Sequence, residues 1–508
     1  PAASSPQPTA PVADRGPGIP VASAPAPGPE NGWLVLSVTG DTLPANPVLP
    51  IPVRAGDGRA FELVLDVTRS DQVSVWSGLL GERTGRWVPA SGELLWPGAQ
   101  LYVRGALVPG SREVEVQAVR IAGLPEQPRL VTGRVESIGR SRAADSALAL
   151  VGSKDERGIY LLETSGRLTA IGANGQRAIP VPGPDGGLVV PAPTAPTGLN
   201  SFTFLSDGGD LVEIFARPYY TIRGIAGDGA GSLLWIETPQ AELDQWQLWE
   251  YVIGNGQLRL VAQDSLNVFG GDSGPVLPLL VGVVPGAESG WWYLLETARP
   301  RNQQNNTGFY QLRVAPDGQA DEVRRLIAPG VYRAPLHLSP DRSRLAYLSF
   351  DPNQPSLTAG FVQPSNRLWV RPVGDTAFGN DSPVAAYATE NRFEFLTPDI
   401  AWWDERRILL TRSRFSLDTF GITQVDLSSE PPAPTSYLMR IGSSIKDSAV
   451  CQDDRRVLLS TVDEAGVYRL AEWTGSGKPE TVAELPVALD RIFACWRLPD
   501  GQISVDQP

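Results

Sequence analysis

Short runs of alternating apolar and polar residues recur along the chain, and they predict β-strands. The segment Glu113–Ile121 (EVEVQAVRI) alternates at most positions, as a strand with one buried face should. Turns such as Gly254-Asn255-Gly256 separate paired segments and supply the positive φ angles that tight hairpins need. The 52 Gly and 47 Pro residues favour many turns and few long helices. We therefore predict an all-β protein.

Three regions differ in pattern, and they predict three domains. Residues 1–30 are rich in Pro, Ala, Ser and Gly, which predicts an extended leader or linker without a core. Residues 31–127 hold five or six strand patterns, which suit a small closed β-barrel. Residues 128–508 hold a repeated pattern, which predicts a β-propeller.

The repeat consists of an apolar strand, a tight acidic or Gly turn, and a second strand rich in Leu and Ile. Its copies are ALALVGSKDERGIYLLE (147–163), GIAGDGAGSLLWIE (224–237), PLLVGVVPGAESGWWYLLE (278–296), PLHLSPDRSRLAYLS (335–349), DIAWWDERRILLTRS (399–413), SAVCQDDRRVLLSTV (448–462) and FACWRLPDGQISV (493–505). Residues 201–215 have a similar pattern but lie too close to the next copy, so we assign them to the first unit. We predict seven blades, with six or eight as alternatives. The last unit ends after two strands, and we expect residues 129–135 to complete it.

Two segments resemble known families. Leu338–Tyr347 (LSPDRSRLAY) resembles the SPDG motif of TolB-like and WD40-like propellers, with Arg342 in place of the family's Gly. The stretch LYVRGALVPGSREVEVQAVRI (101–121) resembles the closing hairpin of small OB-like barrels in exported bacterial proteins. The resemblance implies a propeller preceded by an OB-like barrel. It also implies the usual role of such propellers, a periplasmic or extracellular binding scaffold.

Charge and residue counts exclude several function classes. The net charge of −13 argues against nucleic-acid binding, because phosphates require a basic face. One His and two Cys are too few for His-rich or Cys₄ zinc sites and for iron–sulfur clusters. We predict no cofactor and no metal. No uncharged apolar stretch approaches the roughly 20 residues of a membrane-spanning helix, so we predict no transmembrane segment.

The candidate catalytic motifs lack the partner residues that their chemistry requires. Gly271–Pro275 (GDSGP) resembles the nucleophile segment of chymotrypsin-like proteases, whose His precedes the Ser. Here the one His, His337, follows Ser273 and alternates with Leu on a strand, so we interpret it as a core or channel residue. The carboxylates that could pair for glycoside hydrolysis lie mostly in predicted turns, and we predict no catalytic residue. They are Glu237, Glu242, Asp244, Asp404, Glu405, Asp453 and Asp454.

Cysteines and paired tryptophans are the remaining candidates. Cys451 and Cys495 lie at matching points of consecutive repeats, so a disulfide is one interpretation and two buried thiols the other. Two Trp pairs are assigned first to packing between blades, with ligand-facing sugar stacking as the alternative. These pairs are Trp291-Trp292 and Trp402-Trp403.

These features lead us to predict an exported, non-enzymatic binding or assembly protein. We expect it outside the cell or at the cell surface, with the periplasm as the alternative. A removed signal peptide would explain the start at Pro1 without Met, and so would a chain whose own start lies ahead of Pro1. Its expected partners are other proteins or copies of itself, with polysaccharide as a further candidate. The alternative function is a carbohydrate-binding or carbohydrate-active propeller that uses the central funnel.

Overall fold

The computed structural model describes the chain from Pro25 to Cys495, apart from a set of gaps. The gaps are residues 40–49, 66–70, 81–84, 91–94, 137, 139, 141–146, 154–157, 174–178, 182–186, 192–200, 207, 218–219, 240–244, 266–276, 287–289, 299–307, 315–319, 328–332, 350–366, 377–383, 389–393, 415–416, 440–442, 452–455, 464, 476–478 and 490. Most of the leader, residues 1–24, therefore lies outside the described residues. Within the described ranges, no helix has the length and apolar character needed to cross a membrane.

The first seven strands form one sheet that closes on itself. The strands are β1 (Leu34–Val38), β2 (Ile51–Ala55), β3 (Ala60–Val64), β4 (Val73–Trp76), β5 (Trp87–Pro89), β6 (Gln100–Leu107) and β7 (Glu113–Gly123). Their order is β3-β2-β1-β6-β7-β4-β5, and β3 also pairs in parallel with β7. Strands β1, β2, β3, β7 and β6 therefore close into a ring. The β4–β5 hairpin, with a 3₁₀ turn at Ser77–Leu80, extends the sheet beyond that ring.

Alternation along the strands fills the inside of this barrel. On β7, Val114 and Val116 are buried while Glu113 and Glu115 are exposed, as the sequence pattern of this segment predicts. The inward side chains of the other strands join them in one hydrophobic core. Burial of this apolar surface is the main stabilising contribution for so small a unit.

Seven further sheets form a seven-bladed propeller, so the predicted all-β fold and blade number are confirmed. Blade 1 contains β9 (Ala147–Ser153), β10 (Gly158–Glu163), β11 (Leu168–Ala173) and β36 (Arg491–Cys495); blade 2 contains β8 (Arg129–Arg134), β12 (Ile179–Val181), β13 (Gly187–Pro191), β14 (Ser201–Ser206) and β15 (Asp210–Phe215); blade 3 contains β16 (Tyr220–Gly227), β17 (Ser232–Pro239), β18 (Gln245–Val252) and β19 (Gln257–Ser265). Blade 4 contains β20 (Leu277–Pro285), β21 (Trp291–Ala298), β22 (Gly308–Val314) and β23 (Ala320–Ile327); blade 5 contains β24 (Arg333–Leu338), β25 (Arg344–Ser349), β26 (Arg367–Pro372) and β27 (Val384–Ala388), with a 3₁₀ turn at Gly374–Thr376. Blade 6 contains β28 (Glu394–Trp402), β29 (Arg407–Arg414), β30 (Leu417–Asp426) and β31 (Ala433–Met439); blade 7 contains β32 (Ser443–Cys451), β33 (Arg456–Asp463), β34 (Tyr468–Trp473) and β35 (Glu480–Leu485).

First strands of neighbouring blades pack on one another, which places them at the centre of the ring. Strand β16 contacts β20, β24 contacts β28, β28 contacts β32, and β32 contacts β36. The second strands are buried on both faces between blades; in β17 every residue from Ser232 to Thr238 is buried. This burial explains why the second strands are the most apolar part of each sequence repeat.

The predicted blade number is right, but two units were assigned wrongly. Residues 201–215 are not part of the first unit, because they form β14 and β15 of a separate blade. In the segment 493–505, residues 496–505 lie outside the described residues. Residues 491–495 supply one strand of blade 1 and do not form a blade of their own. The two errors cancel in the count.

The ring closes through its last strand. Strand β36 pairs with β9, while β8 pairs with β15 at the outer edge of blade 2. The expectation that residues 129–135 complete the last unit is therefore wrong, because β8 (Arg129–Arg134) pairs with β15 in blade 2. A disulfide between Cys451 and Cys495, with Cα atoms 5.3 Å apart, joins β32 to β36. The Ile492 N–H also donates to Asp447 Oδ2 at 2.6 Å, so the closure is held at two further points.

Arg342 has a positive φ of 58° in the turn between β24 and β25, at the position where the motif that this segment resembles has Gly. Its Nη1 donates to the Val283 carbonyl at 2.8 Å and to the Gly227 carbonyl at 3.1 Å. One side chain of blade 5 thus bonds to the backbones of blades 4 and 3. Arginine at this position has a strained left-handed backbone, but its side chain gains hydrogen bonds to two other blades.

Substitutions at Arg342 should separate these two effects. We expect Arg342→Gly to destabilise the protein by about 1–3 kcal/mol, since two bonds to a charged donor are lost while left-handed strain is relieved. Arg342→Ala loses the same bonds and keeps the strain, so it should be about 1 kcal/mol less stable than the Gly variant. Urea denaturation midpoints measure both. A Gly variant as stable as the wild type would show that the bonds contribute nothing.

Candidate functional site

A cluster of buried polar side chains lies at one end of blade 3, where β16 begins, β17 ends and β18 begins. We call it the junction end, since the segment between the barrel and the propeller reaches it. Register places Thr221 opposite Thr238 and Glu237 opposite Gln247. Arg217, just ahead of β16, reaches into the cluster.

Arg217 and Glu237 form a buried ion pair. Arg217 Nε donates to Glu237 Oε2 at 2.9 Å, with 7% and 0% of the two side chains exposed. Arg217 Nη2 donates to Gln247 Oε1, and the guanidinium stacks 3.6 Å from the Tyr220 ring centroid. Gln247 in turn donates to Gln263 Oε1 at 3.3 Å, and Gln263 is exposed. Two glutamine side chains therefore link the pair to the surface.

The junction end also contacts the barrel side of the molecule. Arg217 Nη1 donates to the Glu126 carbonyl at 3.5 Å. Nearby, the Trp96 ring of the barrel meets Phe215 edge to face, with 6.0 Å between centroids. Trp96 is 1% exposed, so this contact between barrel and propeller excludes water.

Burial perturbs the Glu237 carboxyl. It raises the pKa above the ordinary value of 4.5, and the Arg217 guanidinium opposes part of that rise. Trp235 lies near the same carboxylate and also lowers its pKa, without a hydrogen bond of normal geometry. A buried carboxyl with a raised pKa can hold a proton closer to neutral pH than a solvated one, as a general acid requires.

Several buried polar atoms of blade 3 have no hydrogen-bond partner. In the described part of this blade they are Arg223 Nε, Trp235 Nε1, Glu237 Oε1, Thr238 Oγ1, Trp246 Nε1 and Trp249 Nε1. Native proteins leave few such groups unsatisfied, and functional sites are one place where they persist. Alternation along the strands divides this set between the two faces of the sheet. Trp235 Nε1 and Trp249 Nε1 lie on the face of Glu237, whereas Arg223, Thr238 and Trp246 lie on the face toward blade 4. Two indole N–H groups and a carboxylate oxygen on one face suit a ligand with hydroxyl groups.

The Trp pairs from the sequence pack mainly inside the protein. Trp292, Trp402 and Trp403 are 0%, 4% and 6% exposed, and Trp291 is half-buried against the core between blades 3 and 4. The Trp292 Nε1 atom donates to Asp375 Oδ1 at 2.9 Å. These positions favour packing between blades, the first of the two interpretations.

The other candidates do not meet at one place. His337 lies in β24, where its carbonyl accepts a bond from Trp402 Nε1 at 3.1 Å. Asp404 accepts the backbone N–H groups of Arg406 and Arg407 at 2.9 and 2.8 Å, as a turn carboxylate does. Gly271–Pro275 lies outside the described residues, as do Glu242, Asp244, Asp453 and Asp454. In the described ranges, no three His, Cys, Asp or Glu side chains are placed to hold a metal ion.

Glu237 is the exception to the prediction that these carboxylates lie in turns. It belongs to β17, in the run Ser232–Pro239, and its side chain is completely buried. The signal in the sequence was weak, because Glu237 ends the apolar run SLLWIE just as Glu163 ends GIYLLE and Glu296 ends WWYLLE. Nothing in the sequence marked Arg217 as a partner of Glu237, because only the fold brings the two residues together.

No family model and no curated protein matches the chain. Solved structures with a similar chain path include a prolyl endopeptidase (12% identity, TM-score 0.36, covering 70% of this chain and 45% of that one). Prolyl oligopeptidase B from Galerina marginata has 10% identity and a TM-score of 0.36, with 69% of this chain and 46% of that chain covered. An oligogalacturonate lyase from Vibrio parahaemolyticus has 9% identity and a TM-score of 0.36, with 66% and 84% covered. The chain thus spans less than half the length of the two peptidases.

These comparisons contradict the predicted scaffold function and the prediction that the chain is not an enzyme. The chain was expected to be a non-enzymatic scaffold, whereas the solved proteins that resemble it are peptidases and a lyase. The non-enzymatic interpretation is not carried further. At TM-scores below 0.5 none of these likenesses identifies a reaction, so a proposal must come from the residues themselves.

Proposed function

We propose that this protein is a carbohydrate-active enzyme whose reaction takes place at the junction end of blade 3. The observation that carries the proposal is Glu237. Its carboxyl is fully buried, its pKa is raised, and its Oε1 lacks a partner on the face of the sheet that also carries the unpartnered N–H groups of Trp235 and Trp249. Polysaccharides offer the hydroxyl groups that would satisfy such a set.

In this proposal Glu237 is the general acid. A protonated Glu237 gives its proton to the oxygen of a glycosidic bond as that bond to the sugar carbon breaks. A water molecule bonds to the sugar carbon in its place and releases a proton to solvent. Arg217 positions the carboxyl through Oε2 and leaves Oε1 for the substrate. Gln247, which links the buried pair to the exposed Gln263, is the side chain that must swing aside to admit a sugar. Exposed and half-exposed side chains change rotamer on the nanosecond scale, so this movement need not limit turnover.

The two finer fold assignments and the location are part of the proposal. We infer an OB-like barrel, supported by the closed ring in which β3 pairs in parallel with β7. We infer a TolB-like propeller, supported by the Ser339–Ser343 turn between β24 and β25. An extracellular or periplasmic location is supported by the Cys451–Cys495 disulfide, because disulfides persist in oxidising compartments.

A substrate screen tests the proposed function. The full chain is incubated with neutral and uronic-acid polysaccharides, and new reducing ends and unsaturated products are measured. We expect product from at least one polysaccharide, with none from protein unfolded by heat. Absence of product across the whole panel would count against the proposal.

A further inference from the structure

We propose that the barrel carries a second carbohydrate-binding site, on the outer face of strands β1, β6, β7, β4 and β5, for a neutral polysaccharide chain. The inference rests on the proposed function and names a separate surface for the same class of ligand. We call this surface the aromatic face. It consists of Trp33, Trp76, Trp87 and Tyr102 around Arg120.

The aromatic face is centred on one row of paired residues across five strands, and Trp33, Trp76 and Trp87 lie two residues along the chain from members of that row. Val35 pairs with Tyr102, Tyr102 with Arg120, Arg120 with Ser74, and Ser74 with Pro89. Neighbouring strands lie about 4.8 Å apart, so the row is about 19 Å long. This length can hold several sugar rings laid end to end.

The aromatic rings and Arg120 contact one another in a continuous series. Trp76 and Trp87 meet edge to face with 5.2 Å between centroids, and Trp87 and Tyr102 with 6.3 Å. Arg120 lies 4.5 Å from the Trp33 ring and 5.1 Å from the Trp87 ring. All five side chains are half-buried, so each ring is held in place while part of it faces solvent. A large exposed apolar side chain, Val35 at 48%, continues the row.

The backbone beneath Trp76 is shaped for its ring. A Cβ atom on Gly85 would lie 2.0 Å from the Trp76 ring carbon Cζ2, so no other residue fits there without moving the ring. The backbone at Gly85 therefore restricts the position of the Trp76 ring. A rigid aromatic platform loses little side-chain entropy when it binds a ligand.

Charge decides which ligand fits. Arg120 is the cation among these rings, and its Nη1 already donates to Glu30 Oε1 at 2.8 Å. The whole chain has a net charge of −13. A nucleic acid would meet repulsion and too few free cations, whereas a neutral polysaccharide requires neither. Sugar rings present C–H groups to aromatic faces, and the Arg120–Glu30 pair offers a donor and an acceptor for hydroxyl groups at the edge.

This site differs from the Trp pairs that the sequence suggested. Those pairs pack mainly between blades, whereas the aromatic face is built from strands of the barrel. Its β4–β5 hairpin lies outside the closed ring of five strands. The strand order brings together residues as distant in sequence as Trp33 and Arg120.

Binding to polysaccharides tests the inference. Affinity electrophoresis with soluble neutral glucan, xylan and mannan, and pull-down with cellulose and chitin, are done on the full chain. We expect Trp87→Ala to weaken binding at least about tenfold, equivalent to ~1.4 kcal/mol. Trp87→Phe should keep most of the binding, since a ring remains. Leu260→Ala, which removes a 40% exposed apolar side chain from blade 3, is the matched control and should bind as the wild type does.

Three results would overturn the inference: no binding of the wild type to any of these polysaccharides, unchanged binding of Trp87→Ala, or equal loss of binding in Leu260→Ala. Circular dichroism shows whether Trp87→Ala still folds, and Trp87→Phe carries the test if it does not. Turnover of short soluble oligosaccharides should be unchanged in Trp87→Ala. If binding depends on Trp87 but no substrate is ever turned over, the enzymatic proposal fails and this site stands.

Discussion

Glu237→Gln should lower kcat on the polysaccharide substrate by about 10²–10⁴-fold, the usual contribution of a general acid. Glutamine keeps the shape of the side chain and can still accept from Arg217, but it has no proton to give. Binding at the aromatic face should be unchanged in this variant, so affinity electrophoresis separates a lost reaction from a lost fold. In the wild type, kcat should fall as pH rises through the Glu237 pKa, which lies above 4.5 because of burial. The variant's small residual rate should lack that fall.

Glu163→Gln is the matched control for this experiment. Glu163 is also a buried carboxylate paired with an arginine, since its side chain is 8% exposed and bonds to Arg167. It lies in blade 1, away from the unpartnered atoms of blade 3. We expect its kcat to stay near that of the wild type. Equal activity of both variants would remove Glu237 from the mechanism.

Removal of the disulfide should produce the second largest effect. We expect the double variant Cys451→Ala with Cys495→Ala to be less stable by about 2–4 kcal/mol, because the bond closes a chain segment with a sequence separation of 44. Alanine at both positions avoids a lone thiol. Thermal unfolding with and without a reducing agent measures the effect.

The disulfide prediction has two independent checks. Peptide mapping without reduction should find Cys451 and Cys495 in one linked fragment. Reducing agent should lower the unfolding temperature of the wild type and leave the double variant unchanged. A double variant that unfolds at the wild-type temperature would show that β36 is held by its other contacts alone.

The propeller was predictable because each blade repeats one local pattern. Apolar second strands such as β17 and β33 are buried between neighbouring blades, so burial and sequence pattern coincide there. The errors arose where the chain leaves the repeat. Strand β8 pairs with β15, and β36 pairs with β9, and both pairings join segments far apart in sequence. Local periodicity carries no information about such pairings.

The candidate sites were less predictable for the same reason. Arg217 meets Glu237 and Glu126 through the order of blades and the path of the connecting segment, and these contacts span 20 and 91 residues. The aromatic face depends on the order β1-β6-β7-β4-β5, which the alternation of single strands does not fix. A glutamate at the end of an apolar run was visible in the sequence, but its partners were not.

The placement of β36 sets the order in which the chain can finish folding. Strand β9 has its second partner only after residues 491–495 have been made, although β10 can pair with it much earlier. At about 5–20 residues per second, a ribosome takes roughly 20–70 s to make the stretch between β9 and β36. During that interval the inner edge of blade 1 is an open strand, the kind of edge that recruits other chains. A cell making this protein must therefore shield that edge during synthesis, and truncation before residue 491 should yield aggregates.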